Sequence, residues 1–355
     1  MSRFHSLRVA DVRRETADAV SIALDVPEAL RLQFAYLPGQ YLTVRAPIGG
    51  QEVRRSYSIC SGLDDNELRI AVKRVEGGAF STWAHGALAP GATLEAMPPD
   101  GRFVLRPDPG AARAYAGIAA GSGITPVLSI LRSVLACEPR SRFTLLYGSR
   151  STADILFRDA LEDLKDRHMG RLTVLHVLSR EQGDVPVLHG RLDGAKAVRL
   201  LGPSVAALDG AFLCGPAGMI EDVTGALAGA GLPSKRIHSE RFTTAGAPVA
   251  PRPVVAAAPG AAPFALATVI SDGVQTRVPM QDGETVLDAA LRAGLDLPYS
   301  CRGGMCSTCR ARVTEGEVRM DLNYGLEPWE TAAGFVLTCQ ARPVSGSVTV
   351  DFDHV

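Results

Sequence analysis

Cys301, Cys306, Cys309 and Cys339 follow the pattern C-x4-C-x2-C, with the fourth cysteine after 29 intervening residues. Three thiolates on one short loop can wrap a small inorganic centre only if the backbone turns tightly beneath them. Arg302-Gly303-Gly304-Met305 supplies two glycines for that turn. The small residues Ser307 and Thr308 separate the last close pair. This is the ligand spacing of a [2Fe–2S] cluster, a centre that passes electrons singly, and amides on such a loop help to set its potential.

A structural zinc ion is the main alternative for a C-x2-C pair. Zinc sites usually show a second C-x2-C or H-x3-5-H knuckle, and none lies near Cys339 or among the seven histidines. An odd count of seven cysteines, with no secretory segment in MSRFHSLRVADVRRE, predicts reduced thiols and a cytoplasmic protein. Cys60, Cys137 and Cys214 are isolated, and two of them are expected to be buried small apolar residues.

A chain of 355 residues exceeds what one core usually holds, so two or three domains of about 90 to 130 residues are expected. The formal net charge of −1, without a Lys/Arg-rich run, argues against nucleic-acid binding. That average hides a division. Residues 264–355 hold 7 Lys+Arg against 12 Asp+Glu, or −5, which leaves 30 against 26, or +4, for the remainder. An acidic C-terminal segment beside a basic remainder suits electrostatic docking within the chain or with a partner. Ala114 to Leu131 approaches membrane-span length, but Gly117, Gly121, Gly123 and Pro126 interrupt it, so a strand, turn and helix are expected and no membrane.

Thr243 to Pro263 contains five prolines and eight alanines without hydrophobic periodicity, which predicts a linker of roughly 25 Å when flexible and up to about 65 Å when extended. Before it, residues 1–108 carry short alternating runs such as Val20-Ser21-Ile22-Ala23-Leu24 and Leu68-Arg69-Ile70-Ala71-Val72, separated by Gly/Pro/Asp clusters: an antiparallel β-barrel. Residues 109–242 alternate apolar strands with helical patterns, the signature of an α/β parallel sheet. Residues 264–355 begin with two alternating strands and a helix around Thr285 to Ala293, opened by Asp282-Gly283-Glu284, before the cysteine loop: an α+β domain.

Within the barrel, Arg55-Ser56-Tyr57-Ser58 is followed by Val72-Lys73-Arg74 and Gly77-Gly78-Ala79-Phe80-Ser81. An arginine and a helix N-terminus can hold a pyrophosphate, a tyrosine can stack on a flavin, and a serine can reach its N5. In the second segment, Gly121-Ser122-Gly123-Ile124-Thr125-Pro126 turns from strand to helix, and Cys214-Gly215-Pro216 closes the fourth strand.

R-x-Y-S with G-x-x-S, G-x-G-I-T-P and C-G-P, in this order, resemble the ferredoxin–NADP reductase superfamily, and the last segment resembles the β-grasp fold of plant-type ferredoxins. The resemblance implies FAD held by Arg55, Tyr57, Ser58, Val72, Lys73, Gly78, Ser81 and Phe242. It implies a nicotinamide nucleotide held by Gly121, Gly123, Thr125, Pro126, Cys214, Gly215 and Pro216, with Ser58, Cys214 and Glu240 completing the catalytic site. An arginine among hydroxyls at Ser149-Arg150-Ser151 suits a 2′-phosphate, so NADPH is expected, with NADH possible. The order of modules implies electrons passing from NADPH through FAD to the cluster and on to an oxygenase component.

Phe4-His5-Ser6-Leu7, Arg54 to Ser61 and His238 to Phe242 are similar to the reductase subunits of bacterial phenylacetyl-CoA epoxidases, di-iron enzymes of phenylacetate degradation. Reductases of Rieske-type ring-hydroxylating or demethylating oxygenases, some using NADH or FMN, share most of these motifs. A zinc-containing nucleotide-binding scaffold is the reading from a different class.

Overall fold

The computed structural model describes residues 4–242 and 263–354; the expected linker, apart from Pro263, lies outside the described residues. One compact unit comprises Phe4–Val53 and Tyr57–Phe242, and the residues after the linker belong to another.

The first unit opens with strands β1 (His5–Thr16), β2 (Ala19–Asp25), β3 (Tyr41–Ile48), β4 (Gln51–Ser58) and β5 (Leu68–Lys73), then helix α1 (Ala79–Ala87) and β6 (Thr93–Ala96). The strands form one sheet in the order β4-β3-β6-β1-β2-β5. The alternation read in β2 places Val20, Ile22 and Leu24 in the barrel core, closed by Phe80 and Ala84 of α1. The other face of β2 is buried as well. Small residues make that possible: Ala19 and Ala71 join the core of the following α/β segment, and Ser21 Oγ accepts from Arg69 Nη1 at 2.9 Å.

Strands β7 (Ala114–Ala120), β8 (Arg142–Ser149), β9 (Leu172–Leu178), β10 (Gly210–Gly215) and β11 (Ile237–Arg241) form a parallel sheet in the order β11-β10-β7-β8-β9. Helices α2 (Ile124–Cys137), α3 (Arg158–Arg167), α4 (Gly194–Leu201) and α5 (Ala217–Gly229) make the crossovers. The strand order reverses between β7 and β10, and a crevice beyond their C-terminal ends is where such sheets bind ligands. The apolar stretch from Ala114 to Leu131 is β7, a tight turn and the start of α2. Among the described residues no helix is long and apolar enough to cross a membrane.

The second unit contains β12 (Ala265–Ser271), β13 (Val274–Met280), α6 (Val286–Arg292), β14 (Arg310–Glu315), β15 (Val318–Met320), α7 (Pro328–Ala332), β16 (Phe335–Leu337), β17 (Ala341–Pro343) and β18 (Ser347–Asp351). Its sheet runs β13-β12-β18-β14-β16, with β12 parallel to β18 and α6 packed on the core, a β-grasp arrangement. Helix α6 opens one residue later than Asp282-Gly283-Glu284 suggests. Thr285 is its cap, accepting from the Asp288 amide at 3.2 Å, while Glu284 is buried against Arg292 at 2.8 Å.

Candidate functional site

Tyr57, near the end of β4, meets Phe80 in the first turn of α1. Tyr57 is half-buried with its ring 5.4 Å from that of Phe80, while Arg55 is exposed and donates to the Arg54 carbonyl at 2.7 Å. Gly78 is the N-cap of α1 and no side chain caps this helix. A Cβ at Gly78 would lie 2.6 Å from Ser81 Oγ, so the loop admits only glycine there without shifting. Ser81 is buried, and its hydroxyl closes the loop by accepting from the Val75 amide (3.1 Å) and donating to the Gly78 carbonyl (3.2 Å). Val72 is buried in β5, its carbonyl accepting from His85 Nε2 at 3.0 Å. Lys73 Nζ lies 3.5 Å from Asp18.

In the parallel sheet, Gly121-Ser122-Gly123 forms a 3-10 turn into α2, again without a side-chain cap. Tyr147 OH donates to the Gly121 carbonyl at 3.0 Å, and Thr125 Oγ1 donates to the Ser122 carbonyl at 3.0 Å. Gly123 has to be glycine because a Cβ there would overlap the Cys214 carbonyl. That close approach ties G-x-G-I-T-P to C-G-P: the turn packs directly on the end of β10. Pro126 is buried in the first turn of α2, and Pro216 caps α5 just after Gly215.

Cys214 and Glu240 are register partners on β10 and β11. Ser58 Oγ donates to Glu240 Oε2 at 3.2 Å, so the three residues named for catalysis come together. Burial pushes the Glu240 carboxyl up to about 8, the hydrogen bond from Ser58 opposing it. At neutral pH it is therefore largely protonated and able to donate. Burial, with the Glu240 charge adding to it, pushes the Cys214 thiol well above its ordinary value, so it is a neutral group and no nucleophile. Phe242, just beyond β11, packs half-buried against the core of the α/β segment.

Ser149 is buried at the end of β8 and Arg150 follows, half-exposed. The Arg150 guanidinium is shared by Asp18 (3.1 Å) and Asp154, and Ser151 Oγ donates to Asp154 at 2.7 Å. Asp18, from the β1–β2 turn, is the residue that sequence reasoning missed. Its signal was weak: a lone aspartate two residues after Thr16, which donates to it at 2.8 Å. Burial acts to raise the Asp18 carboxyl, but that hydrogen bond and the Lys73 and Arg150 charges together hold it below its ordinary value.

In the cluster loop the thiols fall into two pairs. Cys306 Sγ lies 3.2 Å from Cys301 Sγ, which also accepts from the amides of Gly303 and Cys306 at 3.4 Å. The Cys306 thiol, with these amides and that of Met305, pulls the Cys301 thiol below its ordinary value against the effect of burial. Cys309 lowers Cys339 in the same way, and Gln340 Nε2 donates to Cys339 Sγ at 3.7 Å. Gly304, at φ +73°, forms the turn beneath them. Among the described residues no group of three or more Cys, His, Asp or Glu converges on a single point. Two pairs of thiols are what a two-iron centre takes, two cysteines to each iron.

Three family models match the chain: an oxidoreductase FAD-binding domain over residues 6–105, an oxidoreductase NAD-binding domain over 118–225 and a 2Fe-2S iron-sulfur cluster binding domain over 269–344. The chain is 47% identical to one of the subunits of the 1,2-phenylacetyl-CoA epoxidase of Escherichia coli K12, covering 99% of both chains. It is 36% identical to the ferredoxin reductase component of 3-ketosteroid-9-alpha-monooxygenase from Rhodococcus rhodochrous, covering 94% of this chain and 92% of that one. Its fold is like that of phthalate dioxygenase reductase (TM-score 0.57, 24% identity, 98% of both chains). It is also like that of an intact type IV self-sufficient cytochrome P450 monooxygenase (TM-score 0.69, 24% identity), covering 98% of this chain and 41% of the monooxygenase. The chain therefore belongs to the ferredoxin–NADP reductase-type flavin and iron–sulfur reductases, NAD(P)H-dependent oxidoreductases that carry FAD and a [2Fe–2S] cluster.

Proposed function

We propose that the chain is the reductase of a multicomponent oxygenase acting on an aryl-acetyl-CoA thioester, a di-iron phenylacetyl-CoA epoxidase, and that it draws electrons from NADPH in the cytoplasm. The observation that carries this is the 47% identity, over nearly the full length of both chains, to a protein of the Escherichia coli phenylacetyl-CoA epoxidase. When bound, FAD accepts two electrons together from the nicotinamide and releases them singly to the cluster.

The chain's own residues supply binding and proton placement. Arg55 and the amides at Gly78 and Ser81 hold the flavin phosphates, Tyr57 covers the ring, and Val72, Lys73 and Phe242 border it. Ser58 and the protonated Glu240 hold a proton beside the reacting atoms, with the uncharged Cys214 as their floor. Gly121, Gly123, Thr125 and Pro126 shape the nucleotide turn, closed by Gly215 and Pro216. Ser149 and Arg150 receive the 2′-phosphate, which displaces the Asp18 and Asp154 carboxylates from the guanidinium. Cys301 with Cys306, and Cys309 with Cys339, hold one iron each. The proposed division is a flavin domain at 1–108, a nicotinamide domain at 109–242, a linker at 243–263 and a ferredoxin domain at 264–355. The three family-model spans support it.

A second reading, an NADH-dependent reductase for a ring-hydroxylating or demethylating oxygenase, draws support from the 36% identity to the ketosteroid monooxygenase component. Reconstitution separates them. The purified chain, NADPH, oxygen, phenylacetyl-CoA and a phenylacetyl-CoA epoxidase oxygenase are expected to consume thioester in step with NADPH. Thioester left untouched while NADPH still reduces cytochrome c would favour the second reading.

A further inference from the structure

A cavity of about 320 Å³ opens at the end of the parallel sheet opposite the glycine turn. Tyr115 and Gly210, paired in register near the starts of β7 and β10, and Phe212 and His238, paired between β10 and β11, contribute to its wall. The parallel strands carry Gly121 and Cys214 at their other ends, so this cavity is separate from the nucleotide crevice.

Its lining holds three arginines (Arg106, Arg113, Arg236) and one aspartate (Asp209); Arg113 lies 3.7 Å from both Asp108 and Glu138, so Arg106 and Arg236 supply the positive charge. Asp209 is already occupied, accepting from the Ala114 amide at 2.9 Å. Arg236 lines the cavity with its Nη1 donating to the Leu208 carbonyl at 2.9 Å, and Arg106 is exposed. Against this positive rim lies a flat wall: the His238 ring stacks on the buried Phe212 ring at 5.0 Å with a 19° tilt. A concave site with one sign of charge and an apolar wall concentrates ligands of the opposite sign. Guanidinium groups match the planar oxygens of carboxylates and phosphates.

We propose that this cavity is a second ligand site, which binds a small organic anion: a phosphate or carboxylate carried on a flat ring, with the anion on Arg106 and Arg236 and the ring on His238. A space of about 320 Å³ has room for a mononucleotide or a smaller aromatic acid.

Calorimetric titration of the holoenzyme, with the nucleotide crevice saturated by NADP+ and in a parallel run by NAD+, tests this with AMP and with benzoate as probes. At least one of them is expected to bind one-to-one. AMP alone would identify a phosphate site, benzoate alone a carboxylate site. Arg106→Ala, an exposed and mild change, and the double variant with Arg236→Ala are expected to weaken binding by about tenfold or more. NADPH-driven ferricyanide reduction and flavin content should stay as in the parent. His238→Ala should weaken binding with both arginines intact. Binding of neither probe at millimolar concentration, or equal affinity in parent and variants, would overturn the proposal.

Discussion

The Ser58 hydroxyl donates to Glu240 Oε2 across 3.2 Å, joining the end of a barrel strand to the last strand of the parallel sheet. Cys214 lies beside Glu240 in register, so a barrel residue and two neighbouring sheet residues share one part-buried polar spot. The pair requires the two folds to be held together, which the common core of Ala19, Ala71, Phe103 and the α2 side chains provides.

The raised Glu240 carboxyl, at about 8, gives stability a signature. Its folded value lies above its unfolded one, so the native state binds the extra proton. Its contribution is complete below the ordinary carboxylate range and is lost progressively as pH rises towards 8. Glu240→Gln should flatten that decline. Denaturant midpoints of both proteins from pH 5 to 9 check it; parallel curves would show that Glu240 titrates normally.

Gly123→Ala would drive a methyl group into the Cys214 carbonyl. The expected cost is about 1–3 kcal/mol of stability, as in other overpacked sites, together with slower flavin reduction by NADPH. A variant with parental stability and rate would mean that the turn and β10 are not closely packed.

Arg150→Ala should raise KM for NADPH far more than for NADH, because only the former carries the 2′-phosphate. Steady-state ferricyanide reduction with each nucleotide measures this. Equal effects on both would remove Arg150 from the phosphate pocket and leave it as a partner of Asp18 and Asp154.

Cys306→Ser should leave flavin reduction by NADPH at the parental rate while abolishing reduction of cytochrome c, a one-electron acceptor. Stopped-flow reduction and the cytochrome c assay separate the two steps. Loss of flavin reduction would count against independent flavin and cluster modules.

Much of this was legible in the sequence because the elements are local. The alternation in Val20 to Leu24, the apolar strands around Ile118 and Leu145, and the cysteine spacing all follow from short-range geometry. What was hidden depends on contacts distant in sequence. Ser81 has the right spacing for a phosphate loop, yet its hydroxyl closes that loop onto Val75 and Gly78. Asp18 carries no motif and matters only because folding sets it 3.1 Å from Arg150, 132 positions away. The burial of β2 on both faces was likewise invisible, since the small residues Ala19 and Ser21 reveal their second neighbour only in the folded chain.

The proposed electron path runs from NADPH through flavin to a [2Fe–2S] cluster within one chain. The most direct test is the visible spectrum of anaerobically purified protein before and after NADPH. Flavin bands with iron–sulfur shoulders, both bleaching on addition, are the predicted result. A protein that remains colourless and inert after reconstitution with FAD, iron and sulfide would contradict it.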